Sequence, residues 1–280
     1  MTAHPSFGLA GVMGWPVTHS RSPLIHSHWI AQYGLHGAYV PLQVPIERLE
    51  DALRGLSAMG FAGCNLTLPH KVEAMRFADR VDETSRRMGA MNTVVVQADG
   101  SLSGFNHDGA GYLQSLVDAR PGWRADAGPA TVLGAGGAAR AVVLSLADRG
   151  AREIRLLNRT DEKAQALATE FGAPVRAVPW DQRDEALADA ALLVNTTNQG
   201  MHGEPPLDIS LDRLPKAALV SDVIYIPLET PLLKAARERG NPTVNGLGML
   251  LNQARPAFKA WFGVMPEITP ALLAKVLATL

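Results

Sequence analysis

A single cysteine, Cys64, occurs in the 280 residues, so no internal disulfide framework can form. Its neighbours Phe61, Ala62 and Gly63 mark it as a buried structural thiol suited to a reducing cytoplasm. Basic runs are absent as well. The chain has 26 Lys and Arg against 27 Asp and Glu, a formal net charge of -1, which argues against nucleic acid as the main partner, since phosphate binding needs clustered cations. No window reaches the roughly eighteen apolar residues of a membrane span. The opening stretch "MTAHPSFGLAGVMGWP" has no basic segment leading into a continuous apolar core. These absences point to a cytoplasmic protein with no membrane or nucleic-acid partner. Histidines gather at His19, His26 and His28 in "THSRSPLIHSH", but no cysteine or acidic group stands beside them and HExxH does not occur, so no metal is expected.

What is present suits an ordinary globular protein. At 47% hydrophobic and 19% charged residues, the chain can bury a sizeable core and is long enough for two domains. Strand-like runs alternate with helical ones: "LAGVMG", a helix from about Pro23 to Tyr33, "AYVPLQV", a helix around Ile46 to Ala58, "GCNLTL", and a helix from Val72 to Asp79. A βαβαβα order favours a mostly parallel sheet. A hairpin follows in "NTVVVQADGSLSGFN", with Asp99-Gly100 as its turn pair, then a helix from about Asp108 to Ala119 and the loop "RPGWRADAGP". A second series has strands in "ATVLGAG", "EIRLLNRT", "PVRAVPW", "ALLVNTT" and "ALVSDVIY", before closing helices from Gly246 onward. The expected fold is α/β with two α/β domains and an active-site cleft between them. Residues 1–110, joined by C-terminal helices 247–280, form an N-terminal substrate domain with a mostly parallel sheet; residues 111–246 form a Rossmann-type dinucleotide-binding domain.

Two stretches carry chemistry. In "CNLTLPHKVEAM" one lysine, Lys71, follows a polar-apolar alternation that Pro69 ends, and strand ends before helices are where α/β proteins place ligand-binding groups. A solvated helix-start lysine is the plainer reading of that stretch alone. In "TVLGAGGAARA" a strand runs into Gly134, Gly136 and Gly137 and then a helix, the context in which glycines let a backbone approach a pyrophosphate. The next strand ends in Asn158, Arg159 and Thr160. An NAD site usually places an acid here; Arg159, with Lys163 from the following helix, instead suits a 2′-phosphate, and the cofactor expected is NADP.

Taken together, "GWPVTHSRSPLIH", "NLTLPHK", "GAMNTV", "GFNHDGAG", "GAGGAARA", "NRT", "VNTTNQGM", "DVIYIPLETPLL" and "GLGMLLNQ" resemble, in order and spacing, the shikimate dehydrogenase family. The resemblance covers nearly the whole chain. It implies an NADP-dependent oxidoreductase that reduces 3-dehydroshikimate to shikimate on the route to aromatic amino acids, working as a monomer or homodimer. It implies Ser20 and Ser22 at the substrate carboxylate, and Thr67, Lys71, Asn92, Asp108, Tyr225 and Gln253 around the ring hydroxyls and reacting carbon. It places the dinucleotide along Gly134, Ala135, Gly136, Gly137 and Ala138 and at Asn158 to Thr160, with Val223, Gly246 and Met249 beside the nicotinamide. Lys71 would protonate the alkoxide that hydride transfer leaves, with Asp108 holding the ammonium charged; capping a helix is the plainer account of Asp108. Three positions depart from the family pattern: Leu66 for Val, Ser27 for Asn, and His107 for the Thr before Asp108. The last bears on substrate preference, and a relative that also accepts quinate is the nearest alternative, ahead of a non-catalytic NADP-binding regulatory protein.

Overall fold

The structure, a computed structural model, describes residues 7–280; the first six residues of the opening stretch read above lie outside the described residues. The described residues divide into two compact units, one of residues 7–107 and 253–279 and one of residues 108–252 with Leu280.

In the first unit β1 (Gly8–Gly14) lies between β2 (Gly37–Gln43) and β3 (Phe61–Leu66), parallel to both. Beside β3 run the antiparallel hairpin strands β5 (Thr93–Val96) and β6 (Leu102–Phe105), with β4 (Arg80–Val81) at the edge, giving the order β2-β1-β3-β5-β6-β4. Gly100 supplies the positive φ of 83° that the hairpin turn needs. Helix α1 (Ser22–Gln32) and helix α2 (Leu49–Ala58) pack by their apolar spacing: Leu49, Leu53 and Leu56 recur on one helical face and are fully buried. They share a core with Met13, Cys64, Leu66 and Val94. Cys64 is inert there, its thiol pushed well up by burial.

The helix expected over 72–79 is shorter. α3 (His70–Glu73) gives way to a single 3-10 turn, Ala74–Arg76. Apolar residues at 74, 75, 77 and 78 draw the chain onto the core, and Asp79 then joins the sheet, its N–H donating to the Leu102 carbonyl at 2.9 Å and its carboxylate accepting from the Leu102 N–H at 2.8 Å. β3 likewise stops at Leu66, two residues before the expected end. α4 (Glu83–Met88), capped by Asp82, and β4 are too short to show a period in sequence.

The second unit is all parallel. β7 (Ala130–Leu133), β8 (Ile154–Leu157), β9 (Val175–Ala177), β10 (Leu192–Asn195), β11 (Leu219–Asp222) and the unforeseen β12 (Thr243–Val244) lie in the order β12-β11-β10-β7-β8-β9. This is the doubly wound dinucleotide-binding order, with its switch point between β7 and β10. α5 (Asp108–Ala119), α6 (Gly137–Asp148) and α7 (Asp161–Phe171) connect or cover its strands, as does α8 (Pro231–Arg239), and separate cores lie against the sheet. β7, β8, β10 and β11 are buried at every position, as strands covered on both faces must be. Arg155 inside β8 is tolerated because Glu153 and Asp189 neutralise it and the Ala186 carbonyl accepts from it. α9 (Leu247–Phe262) contains the second boundary between the units, and α10 (Pro270–Leu277) follows in the first unit.

His26, one of the clustered histidines, is core rather than ligand. It is fully buried, stacks on Tyr39 with ring centroids 4.0 Å apart, and neither ring nitrogen has a hydrogen-bond partner. Among the described residues no group of three His, Cys, Asp or Glu side chains is arranged to hold a metal ion, and no helix is long and apolar enough to cross a membrane. Burial lowers the His26 pKa from 6.5 to about 3. Between those values the unfolded chain binds a proton that the native state refuses, so stability falls with falling pH by about 1.4 kcal/mol per unit. Urea unfolding at pH 7 and pH 5 should therefore show a smaller pH-dependent loss in His26→Phe than in the wild type; equal losses would show that His26 does not set this dependence.

Candidate active site

Three of the residues expected at the substrate, Thr67, Lys71 and Asn92, lie at one end of the first sheet. β1 and β3 finish there and antiparallel β5 begins there, with Asn65 paired to both Val12 and Thr93. Thr67 follows β3, its N–H bonded to the Met13 carbonyl at 2.9 Å. Lys71 sits in the first turn after it, on a helix fixed at two points: His70 Nε2 lies 2.7 Å from the Val44 carbonyl, and the Met91 N–H donates to the Lys71 carbonyl at 2.9 Å. The short helix under Lys71 is thereby held by two segments distant in sequence.

A buried hydrogen-bond chain leads to Asn92 and Gln253. The Tyr39 hydroxyl donates to Asn65 Oδ1 at 2.7 Å. Burial holds that phenol well above its ordinary pKa, so it remains a neutral donor. Asn65 Nδ2 donates to the Asn92 carbonyl (3.1 Å) and to Thr93 Oγ1 (3.2 Å). Thr93 Oγ1 donates to Asn92 Oδ1 at 2.9 Å, and Asn92 Nδ2 to Gln253 Oε1 at 3.2 Å. Of the expected substrate residues, Asn92 and Gln253 therefore belong to one network. Ser20 and Ser22 are linked to each other, the Ser20 hydroxyl accepting the Ser22 N–H at 3.3 Å, and Ser20 lines a separate pocket with Arg21 and Gln43. Sequence reading missed Tyr39, Asn65 and Thr93, which it counted as strand residues; polar side chains on a strand buried on both faces are the signal that could have found them.

The departures from the family pattern have local accounts. Asn92 Oδ1 accepts the main-chain N–H of His107 at 3.1 Å, a bond any residue but proline can make, while the His107 ring stacks on Phe105. Ser27 is exposed on α1, and Leu66 is buried against the core.

In the second unit, the glycine turn and the ends of β8 and β10 enclose a pocket of about 190 Å³. It is lined by Gly134, Ala135, Gly136, Asn158, Arg159, Trp180 and residues Thr196 to Gln199. Gly134 has φ 108°, and a Cβ there would lie 2.6 Å from Thr196 Oγ1; at Gly136 and Gly137 a Cβ would meet no atom within 4 Å, so the space before the turn is open. An open turn at a helix N-terminus with a guanidinium beside it fits a dinucleotide carrying a further phosphate. Asn158 Nδ2 ties the β8 loop by donating to the Thr160 carbonyl at 2.9 Å. Ala138, Thr160 and Lys163 do not line this pocket; Thr160 instead precedes α7 as its N-cap position.

Val223 and Met249 pack on one core of this unit, and Gly246 has no room for a side chain: a Cβ would lie 2.0 Å from the Val223 carbonyl oxygen. The loop bearing Val223 and Tyr225 hangs on Asp222, which is fully buried. Its carboxylate accepts from Asn195 Nδ2 (3.1 and 3.2 Å), the Ile224 N–H (3.0 Å) and Thr230 Oγ1 (2.8 Å). Burial pushes its pKa up, and these three donors oppose that shift. Asp108 begins α5, in the first turn of that helix.

Three family models match this chain: the shikimate dehydrogenase substrate binding domain over residues 12–94, the shikimate / quinate 5-dehydrogenase over 123–202, and the shikimate 5'-dehydrogenase C-terminal domain over 246–271. A shikimate dehydrogenase (NADP(+)) of Rhodospirillum rubrum is 55% identical over 273 residues, 96% of each chain. Among solved structures, a shikimate 5-dehydrogenase of Thermus thermophilus in complex with NADP(H) and shikimate superposes with TM-score 0.86 at 37% identity, covering 98% of this chain and 99% of that one. A quinate dehydrogenase from Corynebacterium glutamicum in complex with NAD superposes with TM-score 0.90 at 30% identity, covering 97% and 99%. The chain belongs to the shikimate dehydrogenase family.

The network makes a stability prediction. Asn65→Leu strands the Tyr39 hydroxyl and leaves buried polar groups of Asn92 and Thr93 without their donor, which should cost about 2–4 kcal/mol. Chemical denaturation monitored by circular dichroism checks it, and a loss under about 0.5 kcal/mol, the scale of an ordinary surface substitution, would mean that the network is not structural.

Proposed function

We propose that this member of the family is an NADP-dependent oxidoreductase that interconverts 3-dehydroshikimate and shikimate, with residues 1–110 and the C-terminal helices 247–280 binding the substrate and residues 111–246 the dinucleotide. The observation that carries the site assignment is the sheet end of the first unit, where Lys71 stands on a doubly fixed helix and a buried network orients Asn92 and Gln253. Fixed donors and acceptors of this kind suit a small polyhydroxylated acid, because each hydroxyl meets a partner whose direction is set before binding.

NADPH, when bound, supplies the hydride, and the chain's own residues do the remainder. Ser20 and Ser22 hold the substrate carboxylate by donating hydroxyl hydrogens. Thr67, Asn92, Tyr225 and Gln253 bind the ring hydroxyls and so fix which carbon faces the nicotinamide. Lys71 polarises the carbonyl oxygen of the ketone and gives it a proton as the alkoxide forms; in the reverse direction its amine takes that proton back. Asp108 keeps the Lys71 ammonium charged. Gly134 to Ala138 and Asn158 to Thr160 hold the phosphates and adenosine ribose, Arg159 reads the 2′-phosphate with Lys163 adding charge, and Val223, Gly246 and Met249 border the nicotinamide. The chain works in the cytoplasm as a monomer or homodimer.

Steady-state kinetics with shikimate and with quinate, each with NADP and with NAD, test substrate and cofactor together. Shikimate with NADP should have the highest kcat/KM; a higher value for quinate would overturn the substrate assignment. Lys71→Ala should lower kcat with shikimate by about a hundredfold or more, with NADP binding retained. A fall of under about threefold would return Lys71 to the status of a surface lysine.

Arg159 gives the cofactor prediction. A charged hydrogen bond to a phosphate contributes about 1.5–3 kcal/mol, a factor of roughly ten to a hundred. In Arg159→Ala the KM for NADP should rise by about that factor, with NAD little affected. The ratio of NADP to NAD specificity constants, measured at one ionic strength because Arg159 is exposed, decides it; an unmoved ratio would exclude Arg159 as the phosphate reader.

A further inference from the structure

Trp180 lines the same pocket as Arg159 and the glycine turn. It follows β9, and its backbone is anchored at both ends. The Trp180 N–H donates to Asp161 Oδ1 at 3.0 Å, which ties the loop after β9 to the first residue of α7, just beyond Arg159. The Trp180 carbonyl accepts from Arg183 Nη1 at 3.2 Å. Arg183 also stands over the indole, 5.4 Å from the ring centroid, and is itself held by the Asp208 carbonyl and carboxylate at 2.8 Å each. A cation in this position fixes the ring plane. The indole is partly buried against the core that includes Leu187 and Leu211. It is therefore a rigid aromatic surface that borders an open pocket.

The position of the ring in the sheet says which part of a dinucleotide it can meet. β9 is the outermost strand on one side, in the order β12-β11-β10-β7-β8-β9. Val223 follows β11 on the other side of the switch point, so the nicotinamide end lies toward β11. The glycine turn after β7 takes the pyrophosphate, and Arg159 after β8 the 2′-phosphate. What remains to be met at the β8 and β9 ends is the base of the adenosine, a flat π-system, and an aromatic ring is its natural surface. We propose that Trp180 is a cofactor-binding residue that contacts the adenine ring, so that it strengthens NADP and NAD alike while Arg159 distinguishes between them. This inference rests on the dinucleotide reading given above.

Contacts of a base with an aromatic side chain are lost on truncation at a scale of about tenfold in affinity. Dissociation constants for NADP and NAD, measured by isothermal titration calorimetry on the wild type, Trp180→Leu and Trp180→Phe, test the proposal. Trp180→Leu keeps apolar packing and removes the ring; both cofactors should weaken by about tenfold, with the ratio between them unchanged. Trp180→Phe keeps a smaller ring and should lose about two- to threefold for both, which decides the matter even if the leucine variant does not fold. Wild-type affinity in both variants, or a loss confined to NADP, would overturn the assignment while leaving the cofactor reading intact. Failure of the wild type to bind NADP would overturn both.

Discussion

The first unit is organised by the side-chain amide of Asn65. It has one carbonyl and one NH2 group to satisfy in a place from which water is excluded, and it does so with the Tyr39 hydroxyl, the Asn92 carbonyl and the Thr93 hydroxyl. These partners come from β2, β5 and the residue before β5, so a single side chain fixes the mutual register of strands that the backbone ladder alone would leave free to shift. A leucine would fill the same volume and bury more apolar area. It would not specify direction. Of the groups expected at the substrate, Asn92 and Gln253 inherit their orientation from this amide through Thr93.

The second unit repeats the device at the end of β10. Asn195 is fully buried; its Oδ1 accepts from the N–H and hydroxyl of Thr197, and its Nδ2 donates to the Gln199 carbonyl and to Asp222. It therefore shapes the Thr196 to Gln199 side of the pocket beside the glycine turn and anchors the Asp222 carboxylate under the Val223 and Tyr225 loop. A buried carboxylate is costly unless its lone pairs are occupied, and here four hydrogen-bond geometries from three donors occupy them. In each unit, then, irregular loops are held from beneath by a buried asparagine near a strand end.

These observations explain what the sequence disclosed and what it hid. β7, β8 and β10 were legible because each is a short, mostly apolar run closed by Gly or Asn, and the glycine turn and Arg159 stand out for their spacing. α5 and the hairpin were legible from Asp108 and from Asp99-Gly100. Elements of two residues, such as β4 and β12, have no periodicity to detect, and α3 was overestimated because its local helical pattern competes with core packing and with the pairing of Asp79 to Leu102. At the site, Lys71 was conspicuous because it is a lone cation. Asn65 and Tyr39 were not, because in a strand pattern an asparagine or a tyrosine scores as one more alternating residue, and only the three-dimensional partner list reveals that its polar atoms are committed.

The same distinction separates residues that can vary from those that cannot. His107 stands where the family pattern has threonine, yet what the network takes from that position is a main-chain N–H, which histidine and threonine offer equally. Its ring is turned to Phe105 instead. The contribution of Asn92 has no such freedom: its Oδ1 must accept from both Thr93 and the His107 N–H while its Nδ2 donates to Gln253, and neither aspartate nor leucine can do both. Tolerance at such a position therefore follows from which atoms are used there. A backbone contact permits a change of side chain; a side chain that donates and accepts at once does not.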